Sequence, residues 1–103
     1  MEPIRSIYED DADMLEIVRE FVAELPQRVA DLEARFAEER FEELQTLAHQ
    51  LKGAGGGYGF AQVTDAAANL EQALRDRAAP AALRDLCQVL CDTLRAAEVS
   101  ESA

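Results

Sequence analysis

The chain has 103 residues, 49% of them hydrophobic, and 21 acidic against 10 basic residues give it a net charge of −11. This length suits one compact domain with its own core and is too short for two, so residues 1–103 are predicted to form one domain. The acidic balance argues against nucleic acid and against an anionic membrane surface as partners, because both are bound through clustered lysine and arginine.

Helix-forming residues dominate the composition. Ala, Leu, Glu and Arg are abundant, while glycine and proline are scarce outside one stretch, and an all-α fold is predicted from this. Residues 1–10 are predicted to form an N-terminal lead in which Ile4, Ile7 and Tyr8 fold back onto the helices. The Asp10–Asp11 pair that follows can cap the first helix and oppose the positive end of its dipole.

A long apolar stripe predicts the first helix. Hydrophobic residues recur at spacings of three and four from Met14 to Phe36. Pro26 removes an interior helical hydrogen bond and can kink the helix. Since the stripe keeps its register from Leu25 to Leu32, we favour one helix, kinked at Pro26, over two separate helices.

The second predicted helix begins near Phe41 and contains most of the glycines. Helical propensity alone would end it at Gly53, because glycine costs about 1 kcal/mol relative to alanine inside a helix. The core spacing nevertheless continues through Gly55 to Tyr58, and Gly59 offers a left-handed stop. We therefore extend the helix to about Tyr58, with an early end at the glycines as the alternative.

Two further helices complete the predicted fold. They span about Phe60–Arg77 and Pro80–Ala97, and Pro80 marks the boundary because proline is tolerated in a first helical turn. Short connections between helices of similar length favour antiparallel neighbours. The sequence thus predicts an antiparallel up-and-down four-helix bundle, with residues 99–103 as a frayed tail.

The only histidine and the only lysine of the chain stand three residues apart, as His49 and Lys52. On a helix this spacing puts both side chains on one face. Gln45, Gly53 and Gly56 lie on the same stripe, and the two glycines leave room for the backbone of another protein. An imidazole beside a mobile cation and a nearly bare backbone suits a phosphoryl group.

These residues carry a family resemblance. Residues 47–53, Leu-Ala-His-Gln-Leu-Lys-Gly, together with Gly59, resemble the signature of histidine phosphotransfer (HPt) domains of bacterial multistep phosphorelays. The resemblance extends to Phe21–Pro26 and to Leu70–Glu71, whereas the Glu-Glu-Arg turn before the second helix departs from the family's glycine-containing loop. It implies that His49 accepts a phosphoryl group from one receiver-domain aspartate and passes it to another.

The chemistry assigns roles to the neighbours of His49. One ring nitrogen attacks phosphorus, so the other must be held as the hydrogen-bond donor. Glu71, which resembles a polar residue on the neighbouring helix of the family, can accept that bond, although its charge also favours imidazolium. Lys52 disfavours imidazolium and can meet phosphate oxygens. For Arg75 an ion pair along its helix is favoured over steering of an anionic partner.

One lysine cannot neutralise a moving phosphoryl group alone, so much of the catalysis must come from the partner. The resemblance assigns Mg²⁺ to the receiver domain, and this chain is expected to be a phosphoryl carrier with no cofactor, not an enzyme. Cys87 and Cys91 are predicted to be ordinary buried thiols, since a structural zinc needs more ligands than the chain can gather. No metal site is predicted.

The expected partners are response-regulator receiver domains, with a hybrid histidine kinase as a further candidate, and the chain is expected to be a monomer. No apolar run approaches the roughly 20 residues of a membrane span, and the charged start lacks the apolar core of a signal peptide, so we expect a cytoplasmic protein. Two alternatives stay open. The chain could be the phosphoacceptor domain of a chemotaxis-type or hybrid kinase, or a noncatalytic helical-bundle adaptor.

Overall fold

The computed structural model describes residues 2–99. Four helices form the bundle, and the all-α class is confirmed; they are α1 (Ala12–Ala37), α2 (Phe41–Gly57), α3 (Ala61–Arg75) and α4 (Pro80–Ala96). The sequence did not predict a short parallel pairing of β1 (Ile4–Arg5) with β2 (Ala97–Glu98), which joins the two ends of the described chain. The antiparallel order of the helices stays a prediction.

Helix α1 begins and continues as the sequence predicts. The carboxylate of Asp11 caps it, since Oδ1 accepts hydrogen bonds from the backbone N–H groups of Asp13 and Met14 at 2.9 and 3.3 Å. The helix runs unbroken past Pro26, so the prediction of one helix is confirmed, while the kink stays a prediction. Leu25 and Val29 on either side of Pro26 are buried, and this packing holds the helix together where one backbone hydrogen bond is missing.

Helices α2 and α3 approach each other closely at Gly55. A Cβ atom on Gly55 would lie 2.6 Å from Thr64 Oγ1 and 2.7 Å from Thr64 N, closer than carbon atoms pack. The Thr64 hydroxyl also donates a 2.9 Å hydrogen bond to the carbonyl oxygen of Lys52. Glycine at this position therefore sets the register between α2, which carries His49, and α3, which carries Glu71.

Helix α2 ends at Gly57, one residue before the predicted end, with Tyr58 as its C-cap. Gly59 follows with φ +81°, which confirms the predicted left-handed stop. The ring of Tyr58 stacks on Phe21 of α1 with centroids 4.5 Å apart. The core aromatic residue expected at the end of α2 is thus in contact with the first helix.

The N-terminal lead packs on the turn between α2 and α3. Ile4 and Tyr8 contact the core as expected, but Ile7 is 77% exposed, so its prediction was wrong. The reason is a backbone contact: Ile7 N donates to Gly59 O at 3.0 Å, and the neighbouring Ser6 is the residue that is buried.

The C-terminal end is packed further than the sequence predicts. Val99 is half-buried against the core, although the frayed tail was expected to begin there. Pairing between β1 and β2 brings the chain back along the bundle just before this residue, which explains the contact. The rest of the predicted tail, residues 100–103, lies outside the described residues.

Candidate functional site

His49 lies near the middle of α2 with 66% of its side chain exposed. Its Nδ1 atom is 2.8 Å from Oε2 of Glu71, which reaches across from α3. Within residues 2–99 this is the one hydrogen bond of the ring. The imidazole is therefore anchored through one nitrogen on a rigid helix while most of its surface faces solvent.

Glu71 is the buried member of the site, with only 3% of its side chain exposed. Lys52 Nζ lies 2.9 Å from Oε1, and the Arg75 guanidinium lies 3.0 Å from Oε2, the oxygen that also contacts His49. The hydrogen bond from Lys52, the hydrogen bond from His49 and the charge of Arg75 lower the pKa of the carboxyl group below its usual value despite its burial. Glu71 is therefore a carboxylate and can only accept hydrogen bonds.

An ionised Glu71 selects the tautomer of the neutral ring. Since the carboxylate accepts from Nδ1, that nitrogen carries the proton, and Nε2 keeps its lone pair. Nucleophilic chemistry by His49 would consequently take place at Nε2.

Lys52 stands one turn after His49 and keeps 38% of its side chain exposed. Its ammonium group neutralises Glu71 and remains within reach of solvent, so the structure brings together the three residues that the sequence singled out.

The predicted contact residues on α2 flank this group. Gly53 and Gly56 are exposed; a Cβ atom on Gly53 would meet no atom within 4 Å, and one on Gly56 would make an ordinary contact of 3.7 Å. Gln45, half-buried one turn before His49, lies in a shallow groove of about 400 Å³ between α2 and α3, which His49, Glu71 and Arg75 also line. The outer side of α2 therefore presents glycines without side chains after His49 and a groove before it.

Arg75 belongs to this group more closely than the sequence indicated. It does form an ion pair along its helix, as expected, but its partner is the carboxylate that holds His49. The burial of Glu71 was also missed, because glutamate is seldom buried. Its position gave a signal: Glu71 stands four residues after Ala67 and three before Leu74, both core residues of α3.

The model of the family described as the Hpt domain matches residues 16–102 of the chain. The chain belongs to the Hpt domain family. This membership identifies a protein of histidine phosphotransfer in two-component phosphorelays, and the matched range contains His49, Lys52 and Glu71. Neither the comparison with curated proteins nor the comparison with solved structures gives a significant match.

Residues 2–99 contain no group of three or more His, Cys, Asp and Glu side chains placed to hold a metal ion. Cys87 and Cys91 are buried free thiols, as predicted; their mutual hydrogen bond and their burial raise the pKa of Cys91. Among the described helices, none combines the length and the apolar character that crossing a membrane requires.

Proposed function

We propose that this Hpt domain carries a phosphoryl group on Nε2 of His49, accepting it from the phosphoaspartate of one receiver domain and passing it to the aspartate of another. The observation that carries the proposal is the exposed His49 ring whose Nδ1 lies 2.8 Å from the buried, cation-paired Glu71. That arrangement leaves the lone pair of Nε2 free on a largely exposed ring, so an incoming phosphoryl group can react with it.

In the accepting step, the Nε2 lone pair of His49 attacks phosphorus and forms the N–P bond. The P–O bond to the receiver aspartate breaks, and the electron pair leaves with the aspartate carboxylate. The ring gains positive charge as the N–P bond forms, and Glu71, which keeps the Nδ1 proton hydrogen-bonded, stabilises that charge. Donation to a second receiver runs through the same atoms in reverse.

Lys52 supplies charge to the phosphoryl oxygens. Its ammonium group contacts Glu71 Oε1, one turn from His49, and rotation of its flexible, 38% exposed side chain would bring it to a group on Nε2. Arg75 stays on Oε2 in this proposal and keeps the carboxylate fixed when Lys52 moves. The chain is then a carrier, and the receiver supplies Mg²⁺ and the remaining neutralisation of the phosphoryl group.

Receiver domains are the proposed partners, and they dock over the outer side of α2. Gln45, Gly53 and Gly56 are the proposed contact residues, because the two glycines put no side chain between the partner and the α2 backbone. A hybrid histidine kinase is a further candidate partner through its own receiver. We propose a cytoplasmic monomer as the working form.

The proposal is tested by mixing the chain with a receiver phosphorylated with radiolabelled phosphate in the presence of Mg²⁺. We expect label on the wild-type chain as an acid-labile, alkali-stable adduct and no label on the His49→Gln variant. Equal labelling of both would remove His49 from the mechanism. Labelling from ATP by a kinase domain that lacks a receiver would instead support the chemotaxis-type alternative. If the folded wild-type chain takes label from neither source, the adaptor is the remaining alternative.

A further inference from the structure

A second groove extends the one beside His49 towards the start of α4. It has a volume of about 610 Å³ and shares Glu42, Gln45 and Arg75 with the first groove, so the two are continuous. Apolar side chains line it, among them Phe41, Leu74 and Leu83, and charged side chains stand at its edges. We call this second groove the lower groove.

Arg77 is the unusual residue of the lower groove. It follows the end of α3 with φ +54°, a left-handed conformation that glycine adopts without strain and that arginine adopts at a cost. Its side chain lines the groove and is exposed, and in the part of the chain that is described no carboxylate lies within 4.0 Å of it. A glycine would suit this backbone better, so Arg77→Gly can remove the side chain without straining the chain.

The charge at the lower groove differs from that of the chain as a whole. Arg75 and Arg77 stand at the groove with Glu42 as their acidic neighbour, whereas the whole chain carries a net charge of −11. Arg75 is already paired with Glu71, which leaves the Arg77 guanidinium open to a carboxylate from outside. An apolar lining beside an unpaired guanidinium fits an element that carries an aliphatic or aromatic side chain next to an aspartate or glutamate.

We propose that the lower groove is a docking site for the receiver partner, occupied by a receiver surface element with a carboxylate beside an apolar side chain. The inference rests on the proposed function, since the partner is the one that reacts with His49. Phe41 and His49 are eight residues apart on α2, or about 12 Å along the helix, and one receiver can cover both within an ordinary interface. The lower groove thereby selects among receivers and takes no part in the chemistry at Nε2.

The test measures transfer to His49 as a function of receiver concentration. The probes are receiver domains encoded in the same genome, each phosphorylated with acetyl phosphate and Mg²⁺, and the receiver that reacts fastest with the wild-type chain is used. We expect Arg77→Gly to raise KM about fivefold with kcat unchanged, because a rim charge acts on encounter and docking. Arg77→Glu should raise KM further, and both effects should shrink in high salt.

Two control variants separate docking from folding and from overall charge. Because both backbones are left-handed, Arg77→Gly and Glu39→Gly (φ +54° and +57°) should each raise the melting temperature. Glu39 does not line the lower groove, so Glu39→Gly should leave KM at the wild-type value. Arg84 is exposed on α4 and does not line the lower groove, so Arg84→Ala removes one positive charge without changing the lining and should leave KM near the wild-type value.

The outcomes are distinguishable. If label reaches the wild-type chain and both Arg77 variants show the wild-type KM, the lower groove is not a docking site and the proposed function stands. A fall in kcat at constant KM would also overturn the docking role. If no receiver labels the wild-type chain, the proposed function fails, and the inference that rests on it fails with it.

Discussion

The two faces of α2 use glycine for opposite purposes. On the inner face, Gly55 lets α2 approach α3 so closely that a Cβ atom would lie 2.6 Å from Thr64 Oγ1. On the outer face, a Cβ atom on Gly53 would meet nothing within 4 Å, although glycine there weakens the helix. Packing inside the chain explains the inner glycine. It does not explain the outer one, for which the proposed function offers a docking partner as the cause.

The largest expected effect concerns Glu71, which joins α3, packed on the inner face of α2, to His49 on the outer face. Glu71 reaches from α3 to His49 on α2, so Glu71→Ala removes the group that fixes the Nδ1 proton and should slow phosphoryl transfer about 100-fold. Glu71→Gln keeps an oxygen acceptor for Nδ1–H but not the charge that stabilises the positive ring, so it should recover only part of the rate. Single-turnover transfer from a phosphorylated receiver measures both. Equal losses in the two variants would show that the negative charge, and not the hydrogen bond, matters.

The lowered pKa of Glu71 also fixes the sign of its pH dependence. Because the carboxylate is favoured in the folded protein, its contribution to stability is complete above the ordinary glutamate pKa of about 4.3 and is lost as the pH falls through the lower folded-state value. At neutral pH the group is therefore ionised in the wild-type chain. The Glu71→Gln comparison at neutral pH then tests the charge itself.

The inner face is tested by Gly55→Ala. The hydroxyl of Thr64 can rotate away from the new methyl group, but Thr64 N, at 2.7 Å, belongs to the backbone, so α3 must shift. We expect a loss of about 2 kcal/mol in the free energy of unfolding, measured by urea denaturation. Transfer should also slow, because the shift moves Glu71 relative to His49. Unchanged stability would mean that α2 and α3 can move apart at this point without cost.

The sequence predicted the elements that show a side-chain pattern. The spacing from Leu51 through Gly55 to Tyr58 carried α2 across the glycines, and its end is correct to within one residue. The pairing of β1 with β2 was missed because two-residue strands show no periodicity and are held by backbone bonds. At the site, spacing found His49 and Lys52. The burial of Glu71 depends on how α3 packs, and it was not predicted because glutamate is usually exposed.

Lys52 lies on the outer face of α2, and its substitution tests whether its charge assists phosphoryl transfer. Lys52→Ala should slow transfer about tenfold, because one positive charge near the phosphoryl oxygens is lost while Arg75 still pairs with Glu71. Lys52→Arg keeps the charge and should retain most of the rate. Circular dichroism should show that both variants fold. An unchanged rate in Lys52→Ala would reduce Lys52 to a surface charge that neutralises Glu71.

The smallest expected effect, on Gly53, sharpens the comparison most. Gly53→Ala adds a methyl group in open space and restores helical propensity, so the free energy of unfolding should rise by about 1 kcal/mol, opposite in sign to Gly55→Ala. The same methyl group would hold a partner's backbone away from α2 while the hydrogen bond between His49 and Glu71 stays in place. We therefore expect KM for the receiver to rise about threefold. A chain that gains stability while docking less well would mean that glycine is kept there for the partner. A gain in stability with KM unchanged would leave Gly53 without a docking role, and of the two proposed contact glycines only Gly56 would then support the contrast between the faces.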